Sequence, residues 1–177
     1  MRKPTCMDTI PAPLQTEETC HRLIDVEIDP ALPAGGTLEQ ERRVAIFDLL
    51  ERNSFVLREG PEGPYSLRMG LSGRRITFDV AGAARDETRR FALSLGPIEQ
   101  ASRDYATLCE GYVEAIRTLP PAGIETIERA RREIHAESAR LLRARLSDRA
   151  DIDQETAKRL FTLICVLTAE AGTRLSP

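Results

Sequence analysis

The chain has 177 residues, of which 41% are hydrophobic and 30% charged, and its formal net charge is −3. A chain of this length buries roughly 70% of its unfolded surface without a metal or disulfide staple, and the composition excludes disorder throughout. The acidic balance, with a pI of about 5.6, argues against a dedicated nucleic-acid binder.

Residues 1–19 hold three prolines and no sustained hydrophobic period, and read as a flexible tail. No apolar stretch follows Arg2 and Lys3, so no secretory signal is expected. The longest clean apolar run, 163–167, is too short to cross a bilayer. A cytoplasmic protein is the expectation. Residues 23–29 alternate, with Ile24, Val26 and Ile28 on one face and Asp25, Glu27 and Asp29 on the other, which predicts a half-buried strand. Prolines and glycines break the chain over 30–36. Thr37-Leu38-Glu39-Gln40 is a capping box. It predicts a helix to about Arg52 with Ile46, Phe47, Leu49 and Leu50 as its apolar arc.

Four strands are predicted next, over 54–59, 65–71, 75–80 and 89–95, with a Gly/Pro turn cluster at 60–64 and a Ser72-Gly73 hairpin. Short links between them predict an antiparallel meander with one wet face. After Gly96-Pro97 the period changes. Ile98, Ala101, Tyr105, Leu108, Tyr112, Ala115 and Leu119 fall at 3-4 spacing, the stripe of a long amphipathic helix. Pro120-Pro121 ends it and opens a helix over 122–147. Asp153 caps a last helix. It is apolar nearly all round over 160–167, which predicts the central position. The fold class is therefore α+β: an N-terminal strand and helix, a four-stranded antiparallel meander, and three C-terminal helices packed on the sheet. One domain is expected over 20–171, with a flexible C-terminus at 172–177.

The chain has no P-loop, no G-x-G-x-x-G, no H-E-x-x-H and no G-x-S-x-G. His21 and His135 are its only histidines. No catalytic residue, metal ligand or cofactor is assigned. Cys6, Cys20, Cys109 and Cys165 form no CxxC pair and read as reduced thiols.

The helix over 122–147 carries an irregularity. Projected at about 100° per residue, Ile127, Ile134 and Leu141 share one side and Leu142 and Leu146 bound the apolar arc. Ser138, Arg131 and His135 fall inside that arc. A guanidinium out of water requires a carboxylate or a cleft, and Asp104, Glu110, Glu114 and Glu128 are its candidate partners. Two readings stay open: an interhelical ion pair fixing register, or a ligand-binding site of Arg131, His135, Asp104, Tyr105 and Glu110. His135 serves either as a hydrogen-bonded packing residue or as a base or pH sensor. Tyr105 and Tyr112 stand at core-stripe positions. Arg68, Arg74, Arg75, Arg89 and Arg90 gather on the strands, where they read as a solvated face or as phosphate contacts.

Six segments resemble the alphaproteobacterial uncharacterised protein family 0262. They are His21-Arg22-Leu23-Ile24; Val44-Ala45-Ile46-Phe47-Asp48-Leu49-Leu50; Gly63-Pro64-Tyr65; Phe91-Ala92-Leu93-Ser94-Leu95-Gly96-Pro97; Arg131-Arg132-Glu133-Ile134-His135; and the run from Ala157-Lys158-Arg159 through Cys165-Val166-Leu167. The resemblance spans about 21–167. It implies a bacterial cytosolic protein and no activity, cofactor or catalytic residue. Members often carry Asn-Glu-Gly after the helix histidine and a His after the final Cys-Val-Leu. Here Ala136-Glu137-Ser138 and Thr168 stand there.

The leading functional expectation is a non-enzymatic binding or regulatory protein acting through protein–protein contacts or self-association. The alternatives are a small anionic metabolite-binding or catalytic site around Arg131 and His135, and weak RNA binding through the Arg-bearing strands. No membrane partner is expected.

Overall fold

The chain runs from β1 (Leu23–Ile28) into α1 (Thr37–Glu51), then through β2 (Phe55–Leu57), β3 (Tyr65–Ser72), β4 (Arg75–Ala81) and β5 (Thr88–Ser94). Two long helices follow, α2 (Gly96–Thr118) and α3 (Pro121–Leu146), then β6 (Ala150–Ile152) and α4 (Gln154–Leu175). The structure, a computed structural model, describes residues 20–29, 37–83 and 87–175. The expected tail, the break over 30–36 and the side-chain cap at Thr37 lie outside the described residues.

The fold class is α+β, but the sheet differs from the predicted meander. Its order is β1-β3-β4-β5. β3, β4 and β5 are antiparallel as expected, whereas β1 lies parallel to β3. α1 supplies the crossover that a parallel pair requires. The stretch over 54–59 is not a sheet neighbour of β3. It contributes β2, which pairs antiparallel with β6, a strand absent from the sequence reading. The cause is at the turn cluster. Gly63 brings the chain so close to the segment before β1 that a Cβ there would lie 1.9 Å from the Cys20 carbonyl oxygen. Tyr65 N–H then donates to Arg22 O at 2.9 Å. β1 thus takes the edge of β3 that a hairpin partner needs, and β2 pairs elsewhere.

Two local expectations are corrected. The register shifts between Leu23 and Asp25, so Leu23 and Val26 point inward while Ile24 is 52% exposed. A bulge of this kind moves one side chain to the other face. In α1, Ala45 and Leu49 are buried with Ile46 and Leu50 packed beside them, while Phe47 is 66% exposed.

The core lies between the sheet and the C-terminal helices. Leu67, Met69, Ile76, Phe78, Val80, Phe91 and Leu93 form the sheet's inner face, with Phe78 and Phe91 stacked at 5.1 Å. α4 is central: Leu160, Phe161, Leu163, Ile164 and Leu167 are fully buried. Asp153 caps it, accepting from Thr156 N–H at 2.7 Å. Buried Thr156 in turn accepts Ser54 N–H at 2.8 Å, tying β2 to α4. The outer face of the sheet is wet. Glu27, Arg68, Asp79 and Arg90 stand side by side across all four strands, a row of alternating charge. Arg68 bonds Glu27 at 2.8 Å and Arg90 bonds Asp79 at 2.5 Å.

Candidate functional site

α2 and α3 form an antiparallel hairpin, since contacts between them run in opposite chain directions: Tyr105 meets His135 and Tyr112 meets Arg131. α4 crosses the base of this hairpin. The α2 stripe stays buried or half-buried as far as Ala115, 3% exposed, and at the tip Leu119 is exposed.

Arg131 is partly buried. Its Nη2 donates to Glu128 Oε1 at 3.1 Å and Oε2 at 3.3 Å, one turn back on the same helix. Its Cζ lies 5.3 Å from the Tyr112 ring centroid, a cation–π contact across the hairpin. Of the four candidate carboxylates the structure selects Glu128, so the register-setting contact is the aromatic one. The Arg131 Nε is buried without an acceptor. Burial works to lower the Arg131 pKa, but Glu128, Tyr105 and Cys109 outweigh it and hold the guanidinium charged.

His135 sits one turn further along, in a cluster of three rings. Its centroid is 5.1 Å from Tyr105 and 5.5 Å from Phe161. Its Nε2 lies 3.0 Å from Thr162 Oγ1, and that hydroxyl donates to Lys158 O at 3.2 Å. The hydroxyl proton being used, the network assigns Nε2 as the protonated nitrogen. Burial, then Lys158 and Arg131, push the His135 pKa below its ordinary value. Tyr105 is pushed up to about 12, chiefly by burial and then by Cys109. Burial likewise pushes the Cys165 thiol up to about 12. Ser138 donates to Ile134 O at 2.7 Å within its own helix. Thr168 bonds Ser102 at 2.8 Å. Ser138 and Thr168, two of the three residues that depart from the pattern the resemblance implies, thus have internal partners.

The structure gathers Tyr105, Glu110 and Arg131 on one open cleft of about 670 Å³. His135 lies behind Tyr105, outside the lining. Asp104 faces solvent and accepts from Gln100 at 2.8 Å. α1 forms one wall with Glu41, Val44, Ala45 and Asp48; α2 forms the other with Ala106, Cys109, Glu110 and Val113. Thr162, Cys165, Val166 and Ala169 of α4 make the floor. Sequence reasoning named Glu110 of the α2 wall but missed its apolar part. Its signal was a second stripe, Ala106, Cys109, Val113 and Ile116, at 3-4 spacing beside the first. The first faces α3. The second faces the cleft as far as Val113, which is 56% exposed, and Ile116, 55% exposed, continues it beyond the lining.

A second cavity of about 610 Å³ opens on the other side of the α2–α4 seam. Its Arg74 and Arg103 both bond Glu99, at 2.6 and 2.9 Å. Among the strand arginines, Arg68, Arg74, Arg89 and Arg90 are each held by a carboxylate. Among the described residues no group of three His, Cys, Asp or Glu side chains is placed to hold a metal ion. Among them, too, no helix is long and apolar enough to cross a membrane.

These features define an α+β domain with a helix-walled apolar cleft. Residues 20–170 match the model of the uncharacterised protein family UPF0262, and the chain belongs to that family. It is 49% identical over 153 residues to a UPF0262 protein of Ruegeria sp., covering 82% of this chain and 96% of the relative. A UPF0262 protein of Dinoroseobacter shibae is 50% identical over 152 residues, covering 82% and 96%. One of Roseobacter denitrificans is 51% identical over 150 residues, covering 82% and 92%. No solved structure matches the chain.

Proposed function

We propose that this is a non-enzymatic binding protein of the bacterial cytosol, and that the cleft between α1, α2 and α4 docks a helix of a partner protein. The observation that carries the reading is the second apolar stripe of α2. It faces Val44 of α1, itself 48% exposed, across an open groove whose floor is apolar. Contiguous exposed apolar surface of this kind marks interaction sites. A groove walled by two helices suits an amphipathic helix, which lays its apolar stripe on the floor. The polar groups near the floor are already engaged: Arg131 by Glu128, and Thr162 by His135 and the Lys158 carbonyl.

The test is a photo-crosslinking side chain placed at Val113 in the full chain, expressed in bacterial cells. The expected result is an adduct mapped by mass spectrometry to consecutive turns of a helix in another protein, and lost when Val44→Asp is added. Adducts only to another copy of this chain, or none at Val113, overturn the reading.

A further inference from the structure

Resting on the docking reading above, we propose that the partner helix is basic, with cationic side chains seven residues apart on the flank that lies against α1 and a third on the flank that lies against α2. The cleft is bordered by Glu41 and Asp48 on α1 and by Glu110 on α2. All three are exposed, and none has a hydrogen bond or ion pair among the described residues. Two other carboxylates of the same helices are occupied. Glu39 holds Arg42 and Arg43, and Glu99 holds Arg74 and Arg103. Glu51 of α1 and Glu114 of α2, outside the lining, also lack an ion pair among the described residues, but only at the cleft do such carboxylates border apolar walls on both sides. Among the described residues the one cation in the lining, Arg131, is bonded to Glu128.

The cleft thus presents uncompensated negative charge around an apolar floor. An anion, a nucleic acid or an acidic peptide meets like charge there, whereas a cationic flank meets its complement. The spacing adds geometry. Glu41 and Asp48 are seven residues apart on one helix, two turns and about 10.5 Å. A helix lying along α1 matches them with Lys or Arg at i and i+7. Its opposite flank faces Glu110, and the stripe between packs on Val44, Val113 and Val166.

The experiment uses three model helices of about 18 residues, five turns, with one Leu stripe in common. Their flanks carry Lys at the i, i+7 spacing, Gln, or Glu. Binding to the full chain is read by fluorescence anisotropy at low and high salt, about 0.05 and 0.5 M. The Lys helix is expected to bind about tenfold more tightly than the Gln helix at low salt, and the Glu helix more weakly than either. The Lys advantage should vanish at high salt. It should also vanish in the Glu41→Lys/Asp48→Lys/Glu110→Lys variant, which still binds the Gln helix. The three positions are exposed, and circular dichroism checks that the variant folds. Equal binding of the Lys and Gln helices overturns the basic partner and leaves the docking groove standing. Binding of none of the three, or binding unaffected by Val113→Asp, overturns the groove itself.

Discussion

His135 Nε2 lies 3.0 Å from Thr162 Oγ1, a hydrogen bond that joins α3 to α4 behind the cleft. The histidine is held below its ordinary value of 6.5 by burial, Lys158 and Arg131. As pH falls, the unfolded chain therefore takes up this proton before the folded one does. The stability linked to His135 is complete above the ordinary value. It declines as pH falls from there towards the lowered folded value, and the decline ends below that value. Thermal melts from about pH 7.5 to 5.5 should show a fall in Tm that is shallower in His135→Gln. An identical slope in both proteins refutes the linkage.

Thr156 is fully buried and accepts the Ser54 N–H. Thr156→Val keeps the shape and leaves that donor without an acceptor. Urea unfolding should show a loss of about 1–3 kcal/mol. A neutral result would mean that β2 detaches from α4 without consequence.

Gly63 stands where a Cβ would meet the Cys20 carbonyl oxygen. The obstacle is backbone, which cannot swing aside as a side chain does. Gly63→Ala should therefore destabilise the fold by about 1–3 kcal/mol, the range for overpacking. Because the strain falls on the β1–β3 junction, hydrogen exchange at Val26 should accelerate more than at Phe91.

Arg131 makes one ion pair and one aromatic contact while leaving its Nε unpartnered. Arg131→Met keeps an apolar stem over Tyr112 and removes the orphan donor. The opposing effects should cancel to within about 1 kcal/mol in urea unfolding. A loss of several kcal/mol would instead place Arg131 among the residues on which the helix hairpin depends.

Periodicity within the chain made the helices legible: the 3-4 stripe of α2, the Asp153 cap and the greasy run of α4 are all local signals. Strand pairing was not local. Residues 54–59 alternate like a meander strand, and nothing within them says that Phe55 faces Ile152. The three-residue β6 is too short to carry a period. The site was legible in part. Polar residues inside an apolar arc pointed to Arg131 and His135, and the structure puts Arg131 on the cleft with His135 behind it. Val44 and Val113 were not singled out, because an exposed valine is ordinary until a second helix stands across from it.

The bond from Ser54 to Thr156 spans 102 positions of sequence. On a ribosome adding about 5–20 residues per second, β2 waits roughly 5–20 s before its acceptor has been synthesised. Through that interval Phe55 and Leu57 have no strand to pair with. The nascent chain must keep this apolar segment from other chains until α4 emerges, so β2 settles into the domain only after that helix has been made.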